Sequence, residues 1–143
     1  MIFSIPLINF LVDINESMNL PELLSGLENW MKDAEANAAA FTEAFLNMEG
    51  RKDLVINMVI IAIIPALGEE LLFRGVLQKL IIDWSRNKHL GIWIAAILFS
   101  AMHLQFYGFL PRLAMGLLFG YLLVWTGSLW IPVFCHLTNN ASA

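Results

Sequence analysis

The apolar run from Leu54 to Leu67 has no ionisable side chain, yet it leads directly into Glu69, Glu70 and Arg74. The run reads as a membrane-embedded helix. Ionised groups at membrane depth are costly, so three of them at the end of such a run need a reason. Either they pair to hold a bundle together, or at least one does chemistry. His103 and His136 recur in later apolar stretches, with Asn140 one helical turn past the second histidine. Two carboxylates, an arginine, two imidazoles and a carboxamide in hydrophobic helices look more like an active site than an accident of packing.

The composition supports a membrane setting. Of 143 residues, 59% are hydrophobic and 14% charged, against roughly 25% charged in a soluble domain, and mean hydropathy is +0.69. The length suits one domain. A net charge of −4 argues against a nucleic-acid partner, which needs a basic footprint. The single cysteine, Cys135, allows neither an internal disulfide nor a cysteine cage for a metal. It precedes His136, but adjacent residues on a helix point about 100° apart, so a structural cysteine is preferred to a Cys-His nucleophile. Acidic residues dominate up to Gly50, while Lys79, Arg86 and Lys88 gather around the turn near Asp83 to His89. The positive-inside tendency places that turn on the cytoplasmic side.

The expected fold is all-α: a multi-pass transmembrane helical bundle with an N-terminal amphipathic helix, read as part of a larger membrane domain. Residues 1–53 hold a short apolar segment, Ile2 to Val12, and an acidic helix from Leu20 to Met48 whose apolar positions recur in steps of three and four. Asn19 and Pro21 mark its start and Gly50 its stop. Residues 54–143 form the core. Leu54 to Leu67 continues through the charged cluster into Val76 to Trp84, followed by Leu90 to Met102, Leu113 to Trp125, and Leu129 onward. The polar turn Ser85 to His89, the aromatic turn Phe106 to Pro111, and Thr126-Gly127-Ser128 separate them.

Within the core, Glu70 and Arg74 are i, i+4 neighbours and can form an intrahelical ion pair. Glu69 points about 100° away with no basic residue one turn on, which leaves it as the candidate general base. Phe99 and His103 share the i, i+4 spacing, so the ring can pack beside the imidazole. His136 and Asn140 repeat it, bringing together two groups able to donate to an oxyanion, a contact worth roughly 3 kcal/mol when preorganised. A glutamate to deprotonate water, a histidine to position it and two donors for a tetrahedral intermediate make hydrolysis of an acyl bond. Two histidines and a glutamate could also hold zinc with an open position, but the short zinc-protease motif on one helix is absent; no cofactor is required and zinc is the weaker alternative. A non-enzymatic scaffold, transporter or immunity protein, its buried charges locking helices or carrying protons, is the rival of another class.

Three motifs occur in order on apolar helices: Glu69-Glu70-Leu-Leu-Phe-Arg74, Phe99-Ser-Ala-Met-His103 and His136-Leu-Thr-Asn-Asn140. On these residues the chain resembles the CAAX protease and bacteriocin-processing family of intramembrane proteases, also called the Abi family. That family includes the type II CAAX prenyl endopeptidases and the lysostaphin-resistance-like proteins. The resemblance covers Leu54 to the C-terminus. It implies a helical membrane core in which Glu69 and His103 activate water, His136 and Asn140 form the oxyanion hole, and Glu70, Arg74 and Phe99 support the site. It further implies a multi-pass cell-membrane protein acting on a peptide or lipidated protein. In eukaryotic members the substrate is a prenylated protein cut after the lipidated cysteine; many bacterial members have no defined substrate.

Overall fold

A computed structural model describes residues 5–17, 21–46 and 50–142. Among them every regular element is helical. Helix α1 runs Ile5–Glu16. A 3₁₀ turn, Glu22–Leu24, leads into α2, Ser25–Leu46. The long helix α3 spans Arg51–Ser85, α4 Lys88–Met102, α5 Phe109–Thr126 and α6 Trp130–Ala141. Asn19 and Met48, at the expected ends of the acidic helix, and the start of the first apolar segment lie outside the described residues.

Helix α3 passes through the charged cluster without a break, but its turns change. Two π-helical stretches, Met58–Ile63 and Leu71–Gln78, interrupt its α-helical hydrogen bonding. Such wide turns within α-helices concentrate at functional sites. The second begins at the residue after Glu70 and carries Arg74 and Gln78. Helix α3 ends where Arg86 takes a left-handed conformation with φ 56° and its amide bonds back to the Ile82 carbonyl. The connection to α4 is shorter than the expected polar turn. Asn87 caps α4 by accepting from the Leu90 amide at 3.1 Å, so Lys88 and His89 are already helical. At the other hairpin, Gly127 takes φ 67°, a conformation that costs side-chain-bearing residues roughly 1 kcal/mol or more, and closes α5 onto α6.

The helices bury small and aromatic residues. Ala62, Ala66, Phe73, Ile92, Ala95, Ala96, Phe99, Phe119 and Val133 make the core. Helix α4 packs between α5 and the second half of α3, while α6 packs on the first half of α3 and on α5. Alongside this core lie Glu70, Arg74, Gln78, Ser100 and His136, all buried. Large apolar side chains such as Leu54, Ile64, Val76, Leu80, Leu98 and Trp125 point outward. Charge inside and hydrocarbon outside is the arrangement that a lipid solvent demands. Arg51–Ser85 and Phe106–Thr126 are long and apolar enough to cross a membrane, whereas Lys88–Met102 is shorter. At about 1.5 Å per residue, α3 exceeds a hydrocarbon layer of roughly 30 Å and is long enough to cross it tilted.

Candidate active site

Two adjacent glutamates on α3 project in different directions and meet different fates. The Glu70 side chain is fully buried, and its Oε1 lies 3.0 Å from Arg74 Nη1. Arg74 Nη2 donates to the Gly116 carbonyl of α5 at 3.0 Å. One turn on, Gln78 Nε2 donates to the Gly120 carbonyl at 3.1 Å. These bonds depend on close approach: a Cβ on Gly116 would sit 3.1 Å from Ala96 Cβ, and one on Gly120 would sit 2.8 Å from Gln78 Oε1 and Ile92 Cγ2. Arg74 also lies over the Phe99 ring at 4.5 Å and the Phe119 ring at 5.6 Å, where π-faces stabilise a desolvated cation.

Glu70 is bound a second time, from α6. His136 Nδ1 is 2.9 Å from Glu70 Oε1. A carboxylate only accepts, so this contact puts the proton on Nδ1 and turns Nε2 the other way. That Nε2 lies 3.7 Å from Glu69 Oε2. Phe119 stacks on the imidazole with centroids 5.3 Å apart, and Phe99 meets its edge at 5.7 Å.

His103, the C-cap of α4, follows the same logic with a different partner. Its Nδ1 is 2.8 Å from the Phe99 carbonyl, which again can only accept. Its Nε2 therefore faces Glu69 Oε2, at 3.8 Å. Phe99 packs edge-on against the His103 ring, centroids 5.1 Å apart, so one phenyl group contacts both imidazoles and the arginine.

The result is three unsaturated polar atoms around one point: Glu69 Oε2 and the two Nε2 atoms. Separations of 3.7 and 3.8 Å are too long for direct hydrogen bonds, yet one water off the line between such atoms can lie about 2.8 Å from both. Glu69 Oε2 has no hydrogen-bond partner among the described residues. The Glu69 and His103 side chains are 21% and 25% exposed, against 5% for His136. The edge of the cluster thus opens outward at Glu69 and His103, and its floor is Glu70, Arg74 and His136.

The structure joins Glu69, Glu70, Arg74, Phe99, His103 and His136 from three helices. It does not bond Asn140 into the cluster. That residue is half-buried in the last turn of α6, one turn beyond His136. Cys135 is a half-buried free thiol. Among the described residues no group of three or more His, Cys, Asp or Glu is arranged to hold a metal ion. Two contributors escaped the sequence reading. Gln78 continues the Glu70, Arg74 spacing by one more turn, and Gly116 and Gly120 form a G-x-x-x-G pair of the kind that lets membrane helices touch; both signals are present in the sequence.

Comparison with known proteins bears on the same segment. The family model described as type II CAAX prenyl endopeptidase Rce1-like matches residues 51–142. "Uncharacterized protein YpbD" of Bacillus subtilis (strain 168) is 32% identical over 89 residues, covering 59% of this chain and 42% of that protein. "Putative membrane peptidase YdiL" of the same organism is 27% identical over 99 residues, covering 69% of this chain and 39% of that protein. The chain thus spans about two fifths of the length of these curated relatives. No solved structure matches.

Proposed function

The chain belongs to the Rce1-like type II CAAX prenyl endopeptidase family, and from that premise we propose that it is the catalytic part of an intramembrane endopeptidase of the cell membrane. Its substrates are peptides of membrane-associated or lipidated proteins, and the attacking group is a water activated by Glu69. One observation carries the reading: Glu69 Oε2 lies 3.8 Å from His103 Nε2 and 3.7 Å from His136 Nε2, in a cluster walled by apolar helices.

In this mechanism Glu69 takes a proton from the water while His103 Nε2 orients it. The hydroxide adds to the scissile carbonyl carbon. His136, oriented by its Nδ1 contact with Glu70, enters the step with a proton from solvent already on Nε2, and that Nε2–H donates to the tetrahedral oxyanion and stays on the ring when the intermediate collapses. Asn140, on the same face of α6, supplies the second donor once a substrate brings the carbonyl oxygen between them. Glu69 then returns its proton to the departing amine. Arg74 fixes Glu70 and so the tilt of His136. A pair of oxyanion donors contributes on the order of 3 kcal/mol each, and a positioned general base about 10²–10⁴-fold in rate.

The test is cleavage of a quenched fluorescent peptide panel, prenylated and unmodified, by purified protein beside its Glu69→Gln variant. Cleavage by the wild type alone supports the reading and begins to define the substrate. Silence from both, in folded protein, favours a scaffold in which the same buried charges lock helices.

A further inference from the structure

Two side chains that the proposed mechanism does not use, Asn15 and Arg112, grip the turn that follows His103 from opposite sides. Leu104, the residue after His103, has φ 54°, a conformation that persists for a bulky residue only when its surroundings impose it. The chain then runs through Gln105 and a 3₁₀ turn, Phe106–Gly108, into α5. From outside, Asn15 of α1 grips this turn with both ends of its carboxamide: Nδ2 donates to the Phe106 carbonyl at 2.6 Å, and Oδ1 accepts from the Leu110 amide at 2.8 Å. Asn15 is 8% exposed, and it bridges 91 and 95 residues of sequence to do so. From inside, Arg112 Nη1 donates to the Gln105 carbonyl at 3.0 Å, and Nη2 donates to Gln105 Oε1.

Both grips add to the turn's own bonds, from the Leu104 amide to the Ala101 carbonyl and the Gly108 amide to the Gln105 carbonyl, and to the bond from Ser100 Oγ to the Phe109 carbonyl at 2.7 Å. Outside helices and strands, each buried carbonyl or amide needs a partner, and here side chains supply it. Helix α1 lies outside the region 51–142 that carries the family match, so Asn15 belongs to no motif of that region. The consequence falls on His103, whose placement depends on the last turn of α4 being held against the start of α5. If the turn loosens, the C-terminus of α4 frays and the His103 Nε2 to Glu69 Oε2 distance is no longer fixed. A displacement of about 1 Å in a reacting group can cost 10²-fold in rate.

We infer that Asn15 and Arg112 are positioning residues that hold His103 against Glu69 by clamping the Gln105–Leu110 turn from opposite sides. The inference rests on the proposed hydrolytic role of His103. It makes the N-terminal helix part of the working enzyme and not only a cover over the bundle.

The experiment compares wild type, Asn15→Leu and Arg112→Lys in detergent micelles by two readouts. Leucine fills the space of Asn15 without either hydrogen bond. Lysine keeps the charge of Arg112 but lacks the fork that spans both Gln105 oxygens. Hydrogen exchange of peptides covering residues 104–112 reads the clamp directly, whether or not the protein is active. Peptide cleavage reads kcat and KM separately. The expected result is exchange about tenfold faster in those peptides for Asn15→Leu, with kcat down about tenfold and KM within about threefold. Arg112→Lys is expected to shift both in the same direction, and it carries the test if Asn15→Leu does not fold. Unchanged exchange in the folded variants overturns the clamp. Faster exchange with wild-type kcat overturns the positioning role. A wild type that cleaves nothing overturns the catalytic reading itself, and the exchange data then report on the clamp alone.

Discussion

His136 and Arg74 share one oxygen: Glu70 Oε1 lies 2.9 Å from the histidine Nδ1 and 3.0 Å from the arginine Nη1. Because the arginine is on the same helix as Glu70 and the histidine is on α6, this single carboxylate joins the two helices that carry the first and last motifs. It also assigns distinct tasks to neighbouring glutamates. Glu70 is inside, with one oxygen shared between Arg74 and His136, while Glu69, partly exposed, turns an unbonded oxygen toward two ring nitrogens.

Removing Arg74 is expected to damage the fold more than the chemistry. Arg74→Ala leaves Glu70 as an uncompensated charge in a site with no exposure, a loss of about 3–5 kcal/mol when a buried pair is broken on one side. The thermal midpoint in detergent should fall sharply and folded yield should drop. Glu70→Gln in the same background relieves the lone charge and should recover part of that loss. A double variant no more stable than Arg74→Ala alone would mean that the pair contributes little.

The two histidines should separate in their effects. His136 is nearly buried and bridges two glutamates, so His136→Ala is expected to lower both cleavage and thermal stability. His103 is a quarter exposed, and among the described residues its side chain hydrogen-bonds only to its own helix. His103→Ala should therefore reduce cleavage by about 10²-fold or more while leaving the thermal midpoint near wild type. Parallel rate and melting measurements decide it, and equal stability losses would contradict the assignment of floor and edge.

Cleavage should survive zinc chelation. The proposed chemistry uses a carboxylate and two imidazoles on water, with no Lewis acid, so o-phenanthroline is expected to leave the rate unchanged. Elemental analysis of active protein should find zinc well below one equivalent. Stoichiometric zinc together with loss of cleavage on chelation would replace this mechanism with a metalloprotease one.

Local relations were readable from the sequence because helical spacing is a strong rule. The Glu70–Arg74 pair and the Phe99–His103 contact both follow from i, i+4 geometry alone, and so did the continuity of α3 through its charged cluster. What spacing does not encode is which helix comes next to which. That His136 turns Nδ1 to Glu70 and Nε2 toward Glu69 depends on α6 packing against the first half of α3. The grip of Asn15 on the turn after His103 spans more than ninety residues and has no local signature. Gln78 was legible in principle, one turn beyond Arg74, but its meaning depends on the Gly120 carbonyl opposite.

The glycines of α5 give a stability test that is independent of catalysis. A methyl group at Gly120 would meet Gln78 Oε1 and Ile92 Cγ2, both at 2.8 Å. Relief requires either Gln78 to move, which disturbs its bond to the Gly120 carbonyl, or α4 and α5 to separate, which disturbs the layer above Arg74. Gly120→Ala is therefore expected to cost about 1–3 kcal/mol, the range for overpacking a filled interior. Gly26 provides the contrast. It lies in α2, and a methyl group there meets nothing within 4 Å, so Gly26→Ala should gain up to about 1 kcal/mol from helix propensity. Thermal melts of the two variants beside wild type should move in opposite directions. A Gly120→Ala protein that melts at or above the wild-type temperature would show that α4 and α5 are not held at the close approach described here.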